Sequence, residues 1–213
     1  AAIAADPSCV MAKALRAYVG VMSSEWPDTL AAGELVAGVA GTNDREKAHL
    51  CALSSWVEGD MFAAGRVLDA ILADHPRDLL ALAVGHQVDF FTGDARNLKS
   101  RVERSRSALT AQDPDAGFLD GMWSFGLEEC GDYARSEEAG LRAVATNADD
   151  VWGIHAVVHT YEMQGRVAEG IGFLSSDNTR WESGNLFTVH NWWHLALAFL
   201  LAVPLGVWSA VKQ

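Results

Sequence analysis

The sequence predicts an all-α protein, a right-handed α-solenoid of two-helix repeats, and three observations carry that prediction. Apolar residues recur at helical spacing, with no sustained two-residue alternation. Helix starts are marked by cap residues placed before proline or before a helical run. The breaks are regular: Gly59-Asp60, Gly93-Asp94, Gly131-Asp132 and Gly165-Arg166 follow one another at 34, 38 and 34 residues.

In chain order, Asp6-Pro7 opens a helix over about 7–22 by a cap and a proline, and Trp26-Pro27 opens one over about 27–39 by the proline. Asn43-Asp44-Arg45-Glu46 reads as a cap with Glu three residues on, starting a helix over 44–57. The Gly-Asp breaks and His75-Pro76 then separate helices near 61–74, 77–91 and 95–109. Asp113-Pro114 opens 115–129, followed by 132–146, 150–164, 166–175 and 184–202.

A period near 34 with a helix on each side of the break is the tetratricopeptide pattern. With Gly59 as position 15, Pro76 takes position 32, and Ala52 and Ala64 fill positions 8 and 20, where the two helices of a pair touch. In the Gly131 repeat, Ser124 and Ser136 hold those positions, with Tyr133 at 17 and Ala143 at 27. The Gly93 repeat departs: His86 falls at position 8, and four extra residues precede Pro114. In the Gly165 repeat Gly170 fits and Val158 takes position 8. Each unit leaves an apolar face that its neighbour covers, and the first helices line a concave groove. The organisation read from this is an array of about five helix pairs over 1–203 and an aberrant tail over 204–213.

Composition narrows the partners. Of 213 residues, 50% are hydrophobic and 21% charged, as in globular proteins rather than disordered ones. With 28 Asp+Glu against 16 Lys+Arg, the net charge is -12, which disfavours nucleic acid and anionic membranes and favours cations or basic and neutral ligands. Cys9, Cys51 and Cys130 are an odd number without close spacing, so no disulfide framework or CxxC metal site follows, and a reducing, cytoplasmic location is expected. The chain opens without Met or a basic leader, which suggests a fragment or a processed chain. Leu195–Val211 is an uncharged run of 17 residues, short of a membrane span and interrupted by Pro204 and Gly206.

The histidines carry the chemistry. His155/His159 and His190/His194 are each spaced i, i+4, so both rings of a pair project from one side of a helix. At about 100° per residue, Glu162 falls on the stripe of His155 and His159, with Trp152 at its edge. The two pairs are 35 residues apart, about one repeat, so the four rings are expected at equivalent positions of neighbouring first helices. His155, His159 and Glu162 take positions 5, 9 and 12, and Glu128 takes position 12 one repeat earlier. Trp152, His155, His159, Glu162, His190 and His194 are therefore expected to line the groove. The four histidines are candidate ligands for a divalent transition metal such as zinc, manganese or iron, because neutral imidazole is a good donor to such ions. Glu162 or Glu128 is the candidate catalytic general base. His155-Ala-Val-Val-His159 lacks the inner Glu of HExxH, so no zinc-protease reading follows. The same histidines can instead tie helices together by hydrogen bonds.

Other residues are weaker candidates. His49, at position 5 of its repeat, is expected on the helix surface or in packing. His86 is expected buried and hydrogen-bonded, and His75 sits in a turn. Trp56, Trp123, Trp152, Trp192 and Trp193 read as core or as groove walls. Arg101-Val-Glu-Arg104-Ser-Arg106 reads as a solvated charged face. Gly117 and Gly121 lie on a predicted helix and form no phosphate loop.

The stretches Ala5-Asp-Pro-Ser-Cys-Val-Met11, Arg45-Glu-Lys-Ala-His49, Asp74-His-Pro-Arg-Asp-Leu-Leu-Ala-Leu82 with His86, Ser124-Phe-Gly-Leu127, Asp150-Val-Trp-Gly-Ile-His155 through Glu162-Met163, and His190-Asn-Trp-Trp-His194 resemble the tetratricopeptide repeat protein 38 family. The resemblance covers most of residues 5–200, and its two His-x-x-x-His elements are its most specific part. It implies a helical repeat protein and brings no reaction. Family members are longer, so the chain is expected to be truncated at both ends. After Leu200, Ala202-Val-Pro-Leu-Gly-Val-Trp208 departs from the family's polar turn, as a reading-frame slip or a cut boundary would produce. Two functional readings result: a module binding a protein, peptide or small ligand, or a metal-dependent or acid–base enzyme of the small-molecule hydrolase or lyase type.

Overall fold

The computed structural model describes residues 2–110, 113, 116–182 and 188–196, and every regular element among them is an α-helix. The chain divides into two compact units, residues 1–109 and 110–213.

The first unit holds α1 (Ala2–Ala5), α2 (Val10–Met22), α3 (Trp26–Val36), α4 (Asp44–Val57), α5 (Met61–Asp74), α6 (Leu79–Thr92) and α7 (Ala95–Arg106). Helices pack in sequential antiparallel-type pairs, α2 with α3, α4 with α5 and α6 with α7, while α4 also rests on α2 and α5 on α6. The breaks form as the glycines predict: Gly59 and Gly93 take φ of +89° and +71°, a left-handed conformation that lacks a steric penalty only without Cβ. The following aspartates restart the chain, since Asp60 accepts from Ala63 N at 2.8 Å and Asp94 from Asn97 N at 3.0 Å. Ala52 and Ala64 are fully buried at the α4–α5 contact, flanked by Leu53 and Leu68. Burying each of these leucines stabilises the unit by about 2 kcal/mol.

Two expectations in this unit are corrected, and a third is narrowed. Asp6-Pro7 does not open the second helix. The Asp6 carboxylate accepts from Ser8 N at 2.9 Å, closing a local turn that competes with capping, and α2 begins at Val10. The Arg101 segment is not a solvated face, because Arg101 is fully buried. Its Nε and Nη2 donate to Asp89 at 2.7 and 2.9 Å, and Nη1 lies 3.0 Å from Asp69. Glycine makes the room: a Cβ on Gly85 would stand 2.6 Å from Arg101 Nη1. Of the two places expected for His49, packing rather than the surface is the one it takes. It is fully buried, 3.1 Å from the Tyr18 hydroxyl through Nδ1 and 3.0 Å from Asp78 through Nε2. Asp78, also paired with Arg45, is held well below the ordinary carboxylate range; burial pushes it up, and the bonds from His49 and Arg45 and the Ala81 N–H outweigh burial. The Asn43 cap forms as expected, with Glu46 N donating at 2.9 Å, and the Glu46 carboxylate reaches back to accept from the Thr42 N–H and, more weakly, the Asn43 N–H.

The second unit holds α8 (Ala116–Glu129), α9 (Tyr133–Thr146), α10 (Val151–Met163), α11 (Val167–Ser176), α12 (Thr179–Glu182) and a helical segment over 188–196. Gly131 and Gly165 again take positive φ, +76° and +69°. Asp120-Gly121, a dipeptide common in hairpins, lies inside α8 because Gly121 is where α8 meets α10: a Cβ there would stand 3.2 Å from Gly153 Cα. Ser124 and Ser136, the two small positions, exchange hydrogen bonds with each other's carbonyl at 2.8 and 2.7 Å, and Ser136 meets the Thr160 hydroxyl at 2.8 Å. These hydroxyls lock α8, α9 and α10 into one register.

The short helix α12 was not expected. Its Trp181, 1% exposed, joins Val144, Ile154, Val158 and Leu174 in a core against which Leu195 packs. Pro114 and the tail 204–213 lie outside the described residues, as does most of the expected helix 184–202 and of the run Leu195–Val211. No helix among the described residues is long and apolar enough to cross a membrane. Cys9, Cys51 and Cys130 are free thiols.

Candidate functional site

The site is built in the second unit, on α8, α10 and the segment 188–196. Asp150 starts α10 by accepting from Gly153 N at 3.0 Å. The glycine contact with α8 then sets the two helices close enough for Glu128 to face His159. Thr188 Oγ1 donates to the Trp181 carbonyl at 2.6 Å, fixing the start of the segment that carries His190 and His194.

The four histidine rings meet. Within the pairs, ring centroids are 4.3 Å apart for His155/His159 and 4.6 Å for His190/His194. Between them, His155 lies 4.8 Å from His190 and 5.4 Å from His194, and His159 lies 4.7 Å from His194. One ligand atom from each can be chosen so that all lie within 4.8 Å of one another. His155 and His194 are each 4% exposed, while His159 and His190 are half-buried.

Aromatic rings form the wall. Phe125 packs on His155 and His159 at 5.6 and 5.5 Å, and Trp152 packs on Phe125 at 5.4 Å and on His155 at 6.1 Å. Trp193 stacks on His190 with planes 17° apart. The remaining tryptophans serve elsewhere. Trp56 is core against Phe91, Trp123 lies under Arg135, and Trp192 meets Trp181 edge-on. His75 is exposed, and His86 is buried within the first unit.

Both predicted carboxylates approach the rings. Glu162 Oε2 stands 2.7 Å from His194 Nδ1, off the axis of a linear ring N–H bond. Glu128 Oε2 lies 3.8 Å from His159 Nδ1. In each case the carboxylate takes the Nδ1 side, and Nε2 of both His159 and His194 is buried without a hydrogen bond among the described residues.

Burial and mutual repulsion disfavour the charged form of His155, His159 and His190. Burial, and then repulsion from His194 and His190, lowers His159 to about 3. His155 is pushed well below its ordinary value by burial and by the other three rings. His190 is lowered by burial and by His194, partly opposed by Glu162. Glu128 is raised to about 7, first by burial and then by Glu129 and Glu162.

Two contributors were not singled out in the sequence. Phe125 is the aromatic floor, and its signal was its place three residues before Glu128 on the same helix. Asn191 is fully buried with both side-chain amide atoms lacking a partner among the described residues, and its position beside His190 was the available signal.

No protein-family model matches the chain. Among solved structures it is similar to one described as MamA MSR-1 C2, at 15% identity and a TM-score of 0.52, over 79% of this chain and 94% of that one. It is also similar to a point mutant of MamA, at 15% identity and a TM-score of 0.50, over 80% and 96%. MamA is a tetratricopeptide-containing protein. At this identity the likeness shows the fold alone, and that fold is helical repeats of tetratricopeptide type.

Proposed function

We propose that this chain is a tetratricopeptide-type binding module whose second unit holds a divalent transition metal ion on His155, His159, His190 and His194. The observation that carries the reading is the convergence of four imidazoles whose ligand atoms lie within 4.8 Å of one another. Three further features support it. Burial lowers His155, His159 and His190 from their ordinary values, which favours the neutral form that donates to a metal. Glu162 and Glu128 stand on the Nδ1 side of His194 and His159, the arrangement in which a carboxylate orients an imidazole and leaves Nε2 for the ion. Four-coordinate zinc, at about 2.0–2.1 Å per nitrogen, holds its nitrogens about 3.4 Å apart, so the widest pair closes by about 1.4 Å through rotation of the rings.

The module's wider partner is a protein or peptide segment of basic or neutral character, given the net charge of -12. Membership of the tetratricopeptide repeat protein 38 family belongs to this reading and rests on the His-x-x-x-His elements. A cytoplasmic location belongs to it too, supported by the three free cysteines.

A second reading, a metal-dependent hydrolase or lyase, is favoured by Glu128. Its carboxyl, raised to about 7, is matched to general-base work near neutral pH. A metal held by the histidines would supply Lewis acidity and activate a water. Glu128 would take the proton, and Phe125 and Trp152 would exclude bulk solvent.

Elemental analysis of protein purified without an affinity tag tests the proposal. One transition metal per chain, lost in His155→Ala and in His190→Ala, is the expected result. Metal-free protein that takes up no zinc, manganese or iron in calorimetric titration, and whose melting temperature ignores chelator, refutes it. In that case His159→Ala lowers the melting temperature and changes no ligand response, as purely structural histidines require.

A further inference from the structure

A second feature adjoins the histidines. A cavity of about 120 Å³ lies among α10, α11 and the segment 188–196. Its walls are apolar, formed by Val158, Ile171, Leu174 and Leu195 among others, and its polar lining is Glu162 and His194. Val158 and Leu174 are nearly fully buried, whereas the Glu162 side chain is 38% exposed. The space therefore runs from a buried apolar end to a solvent edge formed by a carboxylate and one of the four histidines.

We propose that this cavity seats the aliphatic chain of a small ligand whose polar head reaches the metal position beside His194 and Glu162. The inference rests on the metal reading above and adds the class of ligand. An apolar cavity of about 150 Å³ in a protein core stays dry and accepts a molecule the size of benzene, so about 120 Å³ takes a chain of about four to five carbons. The head must satisfy two neighbours, donating a hydrogen bond to the Glu162 carboxylate and offering a lone pair to the ion as a fifth ligand beside the four imidazoles, an expansion that zinc and cobalt permit. Short-chain aliphatic hydroxamates and amides have both functions, and a bare carboxylate is disfavoured because it repels Glu162. Apolar walls supply affinity through chain burial while the head fixes orientation.

The test uses the full chain loaded with cobalt or zinc and a series of straight-chain hydroxamic acids from two to eight carbons. Calorimetry gives each Kd, and metal content is measured on the same samples. Affinity rises about fourfold per methylene up to about five carbons. It then falls, because longer chains no longer fit. Ile171→Trp fills the cavity and abolishes the dependence on chain length, leaving metal content unchanged. Val167→Phe repeats the test from the next turn of α11. A loaded protein whose affinity is flat with chain length overturns the proposal and leaves the metal reading standing. If no metal binds, the head-group assignment falls with the metal reading. The cavity is then judged by 1-pentanol, which raises the melting temperature of the wild type and not of Ile171→Trp if the chain site exists, and of neither if it does not.

Discussion

His86 is expected to make the first unit sensitive to mild acid. It sits on α6, 2% exposed, and burial lowers its pKa from 6.5 to about 3, with Arg101 adding to the shift and a backbone hydrogen bond involving Leu98 opposing it. The folded chain therefore keeps the ring neutral at a pH where the unfolded chain protonates it. Between about 6.5 and 3 the unfolded state binds the extra proton, so stability falls as pH drops through that window. One pKa unit is about 1.4 kcal/mol, and going from pH 7 to pH 5 costs about 2 kcal/mol for this group alone. Chemical denaturation at the two values isolates it by a double difference, because every other group titrates alike in wild type and in His86→Leu. The wild type should lose about 2 kcal/mol more than the variant over this interval, and NMR should find the His86 ring neutral in the folded protein down to about pH 4. Equal losses in both proteins, or a folded ring that titrates near 6.5, would refute the burial argument.

Gly85→Ala should destabilise the first unit by about 3 kcal/mol. Its Cβ would stand 2.6 Å from a guanidinium that has no exposed surface to swing into. Gly172→Ala on α11, whose Cβ meets nothing within 4 Å, should instead gain up to about 1 kcal/mol by helix propensity, and thermal denaturation of both variants checks the contrast. Glu128→Gln removes a carboxyl whose folded pKa of about 7 lies above the ordinary 4.5. The wild type loses stability as pH rises from about 4.5 through 7, so the variant should be about 3 kcal/mol more stable at pH 8 and flatter over that window, measured by urea unfolding without metal.

The repeat register was legible because helix breaks and small contact positions are local. Gly59, Gly93, Gly131 and Gly165 all adopt the left-handed turn their spacing implies, and Ala52/Ala64 and Ser124/Ser136 sit where paired helices touch. The histidine stripe was legible for a related reason. An i, i+4 pair must share a helix face, and a second pair 35 residues on must share the register of the first. Arg101 was misread because its neighbours in sequence are charged, and nothing local reveals that Gly65 and Gly85 open a buried slot beside Asp89. His49 was placed on a surface or in packing, while its partners Tyr18 and Asp78 lie 31 and 29 residues away.

The sequence by itself determined the helical class, the punctuation of the repeats and the face of α10 on which His155, His159 and Glu162 lie, since each follows from backbone preferences and the 3.6-residue period. Tertiary structure alone decided that four rings stand within a few ångströms of one another, that Glu128 is raised and His155, His159 and His190 lowered, and that an apolar cavity adjoins His194. Those are properties of distance and burial between segments far apart in the chain, and they exist only once α8, α10 and the segment 188–196 are packed together.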